Sequence, residues 1–127
     1  MLVPSNYAQV DILAIDRVYI DYAKFEELTK RGVTYVTKMK KSLVYTVESD
    51  RMYMSPKGLM EYREQHVTFT KHVKDGEDIV HHARIVTYVD TKKTRLRLVP
   101  LLTNDMETDV ADIVAIYHEW QWEWQLQ

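Results

Sequence analysis

Two acids are the side chains best placed to do chemistry. Asp16 ends the apolar run "DILAI" (11–15), and Glu123 lies near the end of the chain in "HEWQWEWQ". An acid closing a buried strand sits where α/β folds present groups to ligands. A solvated strand-end carboxylate, or one paired with Arg17, fits the same residues. Glu123 shares a helical face with Trp120 and Glu119, three and four residues earlier. Carboxylates gathered in this way suit a hard divalent cation, which prefers oxygen ligands. An ordinary solvated glutamate remains open.

Other groups are less suggestive. His81 and His82 are neighbours, so on a strand they point to opposite faces and cannot grip one metal. With His66, His72 and His118 they read as surface or packing residues, and no HExxH occurs. Lys38, Lys40 and Lys41 cluster after a strand-like run and could meet a phosphate backbone, or simply form its wet end. Trp120 and Trp124 are spaced for a core-facing stripe, whereas Trp122 points elsewhere and could face a partner. Glycine-rich phosphate loops and serine nucleophile elbows are absent.

These residues need elements to position them. After the "DILAI" strand, Asp21 can cap a helix over Tyr22–Arg31, and Gly32 supplies a left-handed end. "VTYVTKM" (33–39) and "LVYTVES" (43–49) read as strands, so the order strand, helix, strand predicts a parallel unit. "HVTFTKHV" (66–73) alternates, "KDGED" (74–78) is a turn, and "IVHHARIVTYVD" (79–90) is a long strand. In "TRLRLVPLLT" (94–103), Arg95 and Arg97 alternate with leucines, and Pro100 predicts an edge or a bulge. A final helix over 109–126, capped by Thr108, carries the stripe Val110, Ile113, Val114, Tyr117, Trp120 and Trp124.

The chain has 127 residues, a net charge of −2 and no cysteine. That is one modest domain without disulfides, thiolate metal sites or thiol catalysis. Near-neutral charge argues against a polybasic nucleic-acid tail, though not against a local basic patch. No apolar run has the roughly 20 residues needed to span a bilayer, and the start lacks a secretory pattern. The simplest expectation is the cytoplasm with no membrane partner. Stopping at "HEWQWEWQLQ", inside a helix pattern, is expected of a fragment.

Several blocks together resemble the catalytic half of bacterial DDE-class transposases of the insertion-sequence-4 type. "DRVYIDYAKFEELTKRGVTYVTKMKKS" is similar to the family's block around its second aspartate. "ARIVTYVDTKKTRLRLVPLLTND" resembles its late strands, ending in Leu-Thr-Asn, and "ADIVAIYHEWQWE" its Tyr-Arg-Glu helix. The order of these blocks agrees over nearly the whole chain. The resemblance implies an α/β fold: a partial RNase H-like core with an inserted antiparallel β-rich subdomain. The core strand-helix-strand would occupy 10–42, the β-rich insert and late strands 43–103, and the helix segment 104–127. It implies that Asp16 and Glu123 are catalytic carboxylates holding Mg²⁺, and that transposon-end DNA is the partner, met by Lys38, Lys40, Lys41 and Tyr117. The activity would be DNA strand cleavage and transfer, with a possible homodimer.

The sequence also departs from the family. The first catalytic aspartate is expected upstream of residue 1, so the fragment is expected to be inactive alone. Val18 replaces a small residue and Ser42 an asparagine. The helix block lacks its arginine, and Tyr117 to Glu123 is one residue short, a rotation of about 100°. A degenerate, non-catalytic remnant is the alternative these departures favour. A β-rich protein-interaction module built on the insert and Trp122 is another.

Overall fold

The computed structural model describes residues 12–15, 22–39, 43–91 and 96–126, with side chains at 23, 25–39, 43–91 and 96–119. The first elements are β1 (Ile12–Ile15), α1 (Tyr22–Lys30) and β2 (Thr34–Lys38). β1 and β2 pair in parallel, Ile12 opposite Thr34, as the strand-helix-strand order predicts. α1 ends where Gly32 takes φ 77°, a left-handed conformation that a Cβ would strain. There Gly32 N–H donates to Thr29 O at 3.1 Å and Val33 N–H to Leu28 O at 2.9 Å, closing the orphan carbonyls of the last turn.

β3 (Thr46–Met54), β4 (Met60–Lys71), β5 (Ile79–Asp90) and β6 (Arg97–Thr103) follow as an antiparallel meander, and α2 (Val110–Leu126) closes the order. β6 returns to pair antiparallel with β2, Val36 opposite Thr103. The result is one six-stranded sheet in the order β1-β2-β6-β5-β4-β3.

Each face of this sheet carries a helix. Phe25 of α1 packs with Tyr35, Val67, Phe69, Ala83, Ile85 and Leu102. Val110, Ile113, Val114, Ile116 and Tyr117 of α2 pack on Val36, Val86, Val99 and Leu101 of the other face. Tyr35 and Val36, Ile85 and Val86, and Leu101 and Leu102 are adjacent pairs that supply one residue to each core. Central strands buried on both sides lose the simple alternation of a half-exposed strand.

The expected fold class does not hold. The strand-helix-strand unit forms, but residues 43–103 are not a subdomain inserted into an α/β RNase H-like core. β6 hydrogen-bonds β2 directly, so β2 through β3 form a single antiparallel sheet to which β1 adds the one parallel pair. The free edge of β2 accepts the strand that returns to it, which sequence order does not announce.

Three local expectations also change. Pro100 lies within β6, opposite Thr87. Its carbonyl accepts from Met39 N–H at 3.0 Å, on the side where β2 has ended, so its missing N–H removes no ladder bond. β3 and β4 extend through Asp50–Met54 and Met60–Gln65, because an edge hairpin with little apolar alternation folds by pairing to β5. Finally, the Thr108 hydroxyl does not cap α2. It donates to Asp105 Oδ2 at 2.6 Å, while Asp105 Oδ1 accepts the N–H groups of Glu107 and Thr108.

Candidate functional site

The helix α2 has flanks of different character. Ala111, Ala115 and His118 line a groove of about 830 Å³ with Leu59, Tyr62, Tyr88, Leu96 and Leu98. The opposite flank carries Ile116, which is fully buried, then Glu119, and position 123 follows at the same helical spacing. α2 lies against β1 and β2 as well as β4 and β5. The groove is built on β4, β5 and β6, so the flank of Glu119 is the one turned away from it, in the direction of β1. Glu119 Oε2 is buried with no hydrogen-bond partner. A buried carboxylate oxygen without a donor or cation is costly, so this oxygen is a point of unmet demand.

Asp16 is the residue after β1, and it lies outside the described residues, as do Lys40 and Lys41. Glu123 lies in the described backbone of α2, and its side chain lies outside the described set, as do those of Trp120, Trp122 and Trp124. Lys38 ends β2 and is partly buried. Tyr117 is only 2% exposed and packs in the α2 core with Val36, Val86 and Leu101, so its ring is a core group and not a surface presented to DNA. α2 is helical without interruption from Val110 to Leu126. The one-residue shortfall between Tyr117 and Glu123 is therefore not absorbed by a break or bulge. Among the described residues, no group of His, Cys, Asp and Glu could by itself hold a metal ion.

The blocks that carry the family likeness meet through Asn104. Its Oδ1 accepts Tyr35 N–H at 2.9 Å, and its Nδ2 donates to Val33 O at 2.8 Å and Thr29 Oγ1 at 2.9 Å. Thr103 Oγ1 donates to Tyr35 O at 2.7 Å. The Leu-Thr-Asn stretch thus ties the end of β6 to the turn between α1 and β2, using side-chain amides where the ladder stops.

Buried polar chains that sequence reading missed lie on each face. Under α1, His81 is fully buried between Tyr35 (Tyr35 Oη to His81 Nε2, 2.6 Å) and Glu26 (His81 Nδ1 to Oε1, 3.1 Å). Burial, opposed by Glu26, holds the His81 pKa below its ordinary value, and burial with the Glu26 charge pushes Tyr35 well up. The ring is therefore neutral: Nδ1–H donates to the carboxylate and Nε2 accepts from the phenol. This is a packing device, since a tyrosine held protonated is no nucleophile.

On the α2 face, Arg84 is 2% exposed and its Nη1 donates to Glu64 Oε2 at 2.7 Å. Tyr53 Oη donates to Glu64 Oε1 at 2.8 Å, and Asp105 lies 3.9 Å from Arg84 Nη2. Arg84 Nε and Nη2 lack hydrogen-bond partners. Burial would raise the Glu64 pKa, but the bonds from Arg84 and Tyr53 outweigh it and hold the carboxyl below its ordinary range. Nothing in the local sequence marks these chains, because their members come from different strands.

No helix among the described residues is long and apolar enough to cross a membrane. No family model and no curated protein sequence matches the chain.

Proposed function

We propose that the chain is part of a DDE-class DNA transposase of the insertion-sequence-4 type, acting on transposon-end DNA in the cytoplasm. The reading starts from the order and spacing of the resembling blocks. The observation that best supports it is on α2: Glu119 Oε2 is buried and unpartnered, on the flank shared with position 123 and turned toward β1, the strand that leads to Asp16. An orphaned carboxylate oxygen beside further carboxylates fits an oxygen-preferring cation such as Mg²⁺.

Bound Mg²⁺ would activate water or a DNA 3′-hydroxyl and stabilise the leaving oxygen. The chain's own part is to supply oxygen ligands from Asp16 and Glu123, and to meet the DNA backbone with Lys38, Lys40 and Lys41. The resemblance assigns a third carboxylate that none of these blocks carries, so the chain by itself binds metal weakly and does not cut DNA.

Calorimetric titration with Mn²⁺ tests the site. The wild-type chain should bind, and Asp16→Asn and Glu123→Gln should each abolish binding. Equal binding by all three, or none by the wild type, refutes the site. Robust nicking of element-end DNA by the chain alone would instead refute its incompleteness. The continuity of α2 favours a remnant as the second reading. Inserting an arginine between Glu119 and Trp120 restores the family spacing. Metal affinity that rises on this insertion marks a site spoiled by one lost residue, and unchanged affinity marks a flank that never held metal.

A further inference from the structure

The outer edge of β3 is the longest stretch of backbone the sheet leaves unpaired. β3 is the terminal strand in the order β1-β2-β6-β5-β4-β3. Ser55 N–H donates to Leu59 O, so the polar groups of Ser55 face β4. Backbone direction alternates along a strand, so those of Tyr53 and Arg51 also face β4. Those of Met54, Met52 and Asp50 face outward, with no strand beyond them.

Such an edge is usually blunted by proline, by inward or free charges, or by a bulge. Here those devices are missing from the centre of the strand. β3 contains no proline. The Asp50 carboxylate is engaged by Arg63 Nε and Nη2, and Arg51 lies 4.8 Å over the Tyr53 ring. The bulge sits at one end, between Val47 and Ser49, and leaves Ser49–Tyr53 in unbroken register with β4. Met52 and Met54 stand exposed at 54% and 56% on one face of this strand.

We infer that β3 is the docking edge for a second copy of this chain, pairing antiparallel with its counterpart about a two-fold axis through Met52. In a continuous antiparallel sheet the two-fold must pass through a residue opposed to itself. Centring on Asp50 sets aspartate against aspartate, and centring on Arg51 sets arginine against arginine. Centring on Met52 opposes Met52 to Met52, Asp50 to Met54 and Arg51 to Tyr53. It uses every outward-facing residue between Asp50 and Met54, covers the exposed methionines and replaces like-charge contacts with a cation–π pair. The inference does not depend on the DNA reading.

Sedimentation of the full chain should show a dimer at about 100 µM. Met52→Lys sets lysine against lysine at the axis and should weaken self-association at least tenfold, with an unchanged circular-dichroism melt. Met52→Cys introduces a single thiol into a cysteine-free chain. Across a two-fold hydrogen-bonded pair the Cα atoms lie about 5.5 Å apart, within disulfide range. Mild oxidation should therefore link it far faster than Lys57→Cys, whose thiols would lie roughly 30 Å apart in this dimer. A wild-type chain that stays monomeric, a Met52→Lys variant that stays dimeric, or equal linking of the cysteine variants overturns the proposal. The cross-linking arm decides the matter even if Met52→Lys fails to fold.

Discussion

Under α1, His81 has both ring nitrogens in hydrogen bonds, to Tyr35 and Glu26. On the α2 face, Arg84 is bound through Nη1 to Glu64 and keeps Nε and Nη2 without hydrogen bonds. Both side chains are buried in the same sheet. The difference lies in charge. A neutral imidazole needs one acceptor and one donor, which facing strands and one helix supply. A guanidinium has five donors and cannot lose its proton, so the same packing leaves some unmet. The α1 face is therefore sealed. The α2 face holds a buried ion pair, an orphan carboxylate oxygen on Glu119 and the groove. Functional chemistry belongs on the face where polar groups remain unmatched.

The comparison predicts a graded series. Replacing Arg84 with Met strands the buried Glu64 carboxylate and should cost about 3 kcal/mol in urea unfolding. Adding Glu64→Gln to that variant should recover more than half of the loss. A neutral Arg84→Met would show that the pair is not held as described. Tyr35→Phe keeps the stacking on Phe25 but leaves His81 Nε2 buried without a donor, so about 1–2 kcal/mol should be lost.

The next effect is pH dependence. Burial holds the His81 pKa below its ordinary 6.5. Between the folded value and 6.5 the unfolded chain binds the proton and the folded chain does not. This stabilisation is complete above that window and falls as pH drops through it, by up to about 1.4 kcal/mol per pH unit. His81→Gln should flatten this limb of a pH-stability profile, and an unchanged slope would show that other groups carry it. The smallest effect should come from Arg31→Ala. It removes a solvent-exposed i,i+4 pair with Glu27 that belongs to neither face, and should shift stability by no more than about 0.5 kcal/mol.

Elements with strong local signals were legible. The α1 helix and its Gly32 stop, β2, the turn around Asp75, β5 and α2 all follow from capping, β-branched runs and spacing. The β3–β4 hairpin was half missed, since "DRMYMSPKGLMEYREQ" shows no clear alternation until β5 pairs with it. The candidate acids were legible only as types at promising places. Residues alone did not separate Asp16 from a plain strand-end carboxylate, and the resemblance supplied its role. The buried chains were invisible, because Tyr35 and Glu26 reach His81 from 46 and 55 residues away.

By itself the sequence determined what is local: where helices start and stop, which faces are apolar, and that no thiol chemistry is available. A period of two or 3.6 says which side of an element is buried, and a cap says where it ends. Neither says which strand lies alongside. That β6 returns to β2, that the β-rich stretch joins one continuous sheet, that Arg84 meets Glu64 and that β3 is left as an open edge were decided by tertiary pairing. Strand pairing is a long-range choice among edges of similar chemistry. Only the packing of both helices onto both faces makes one arrangement bury all the apolar residues at once.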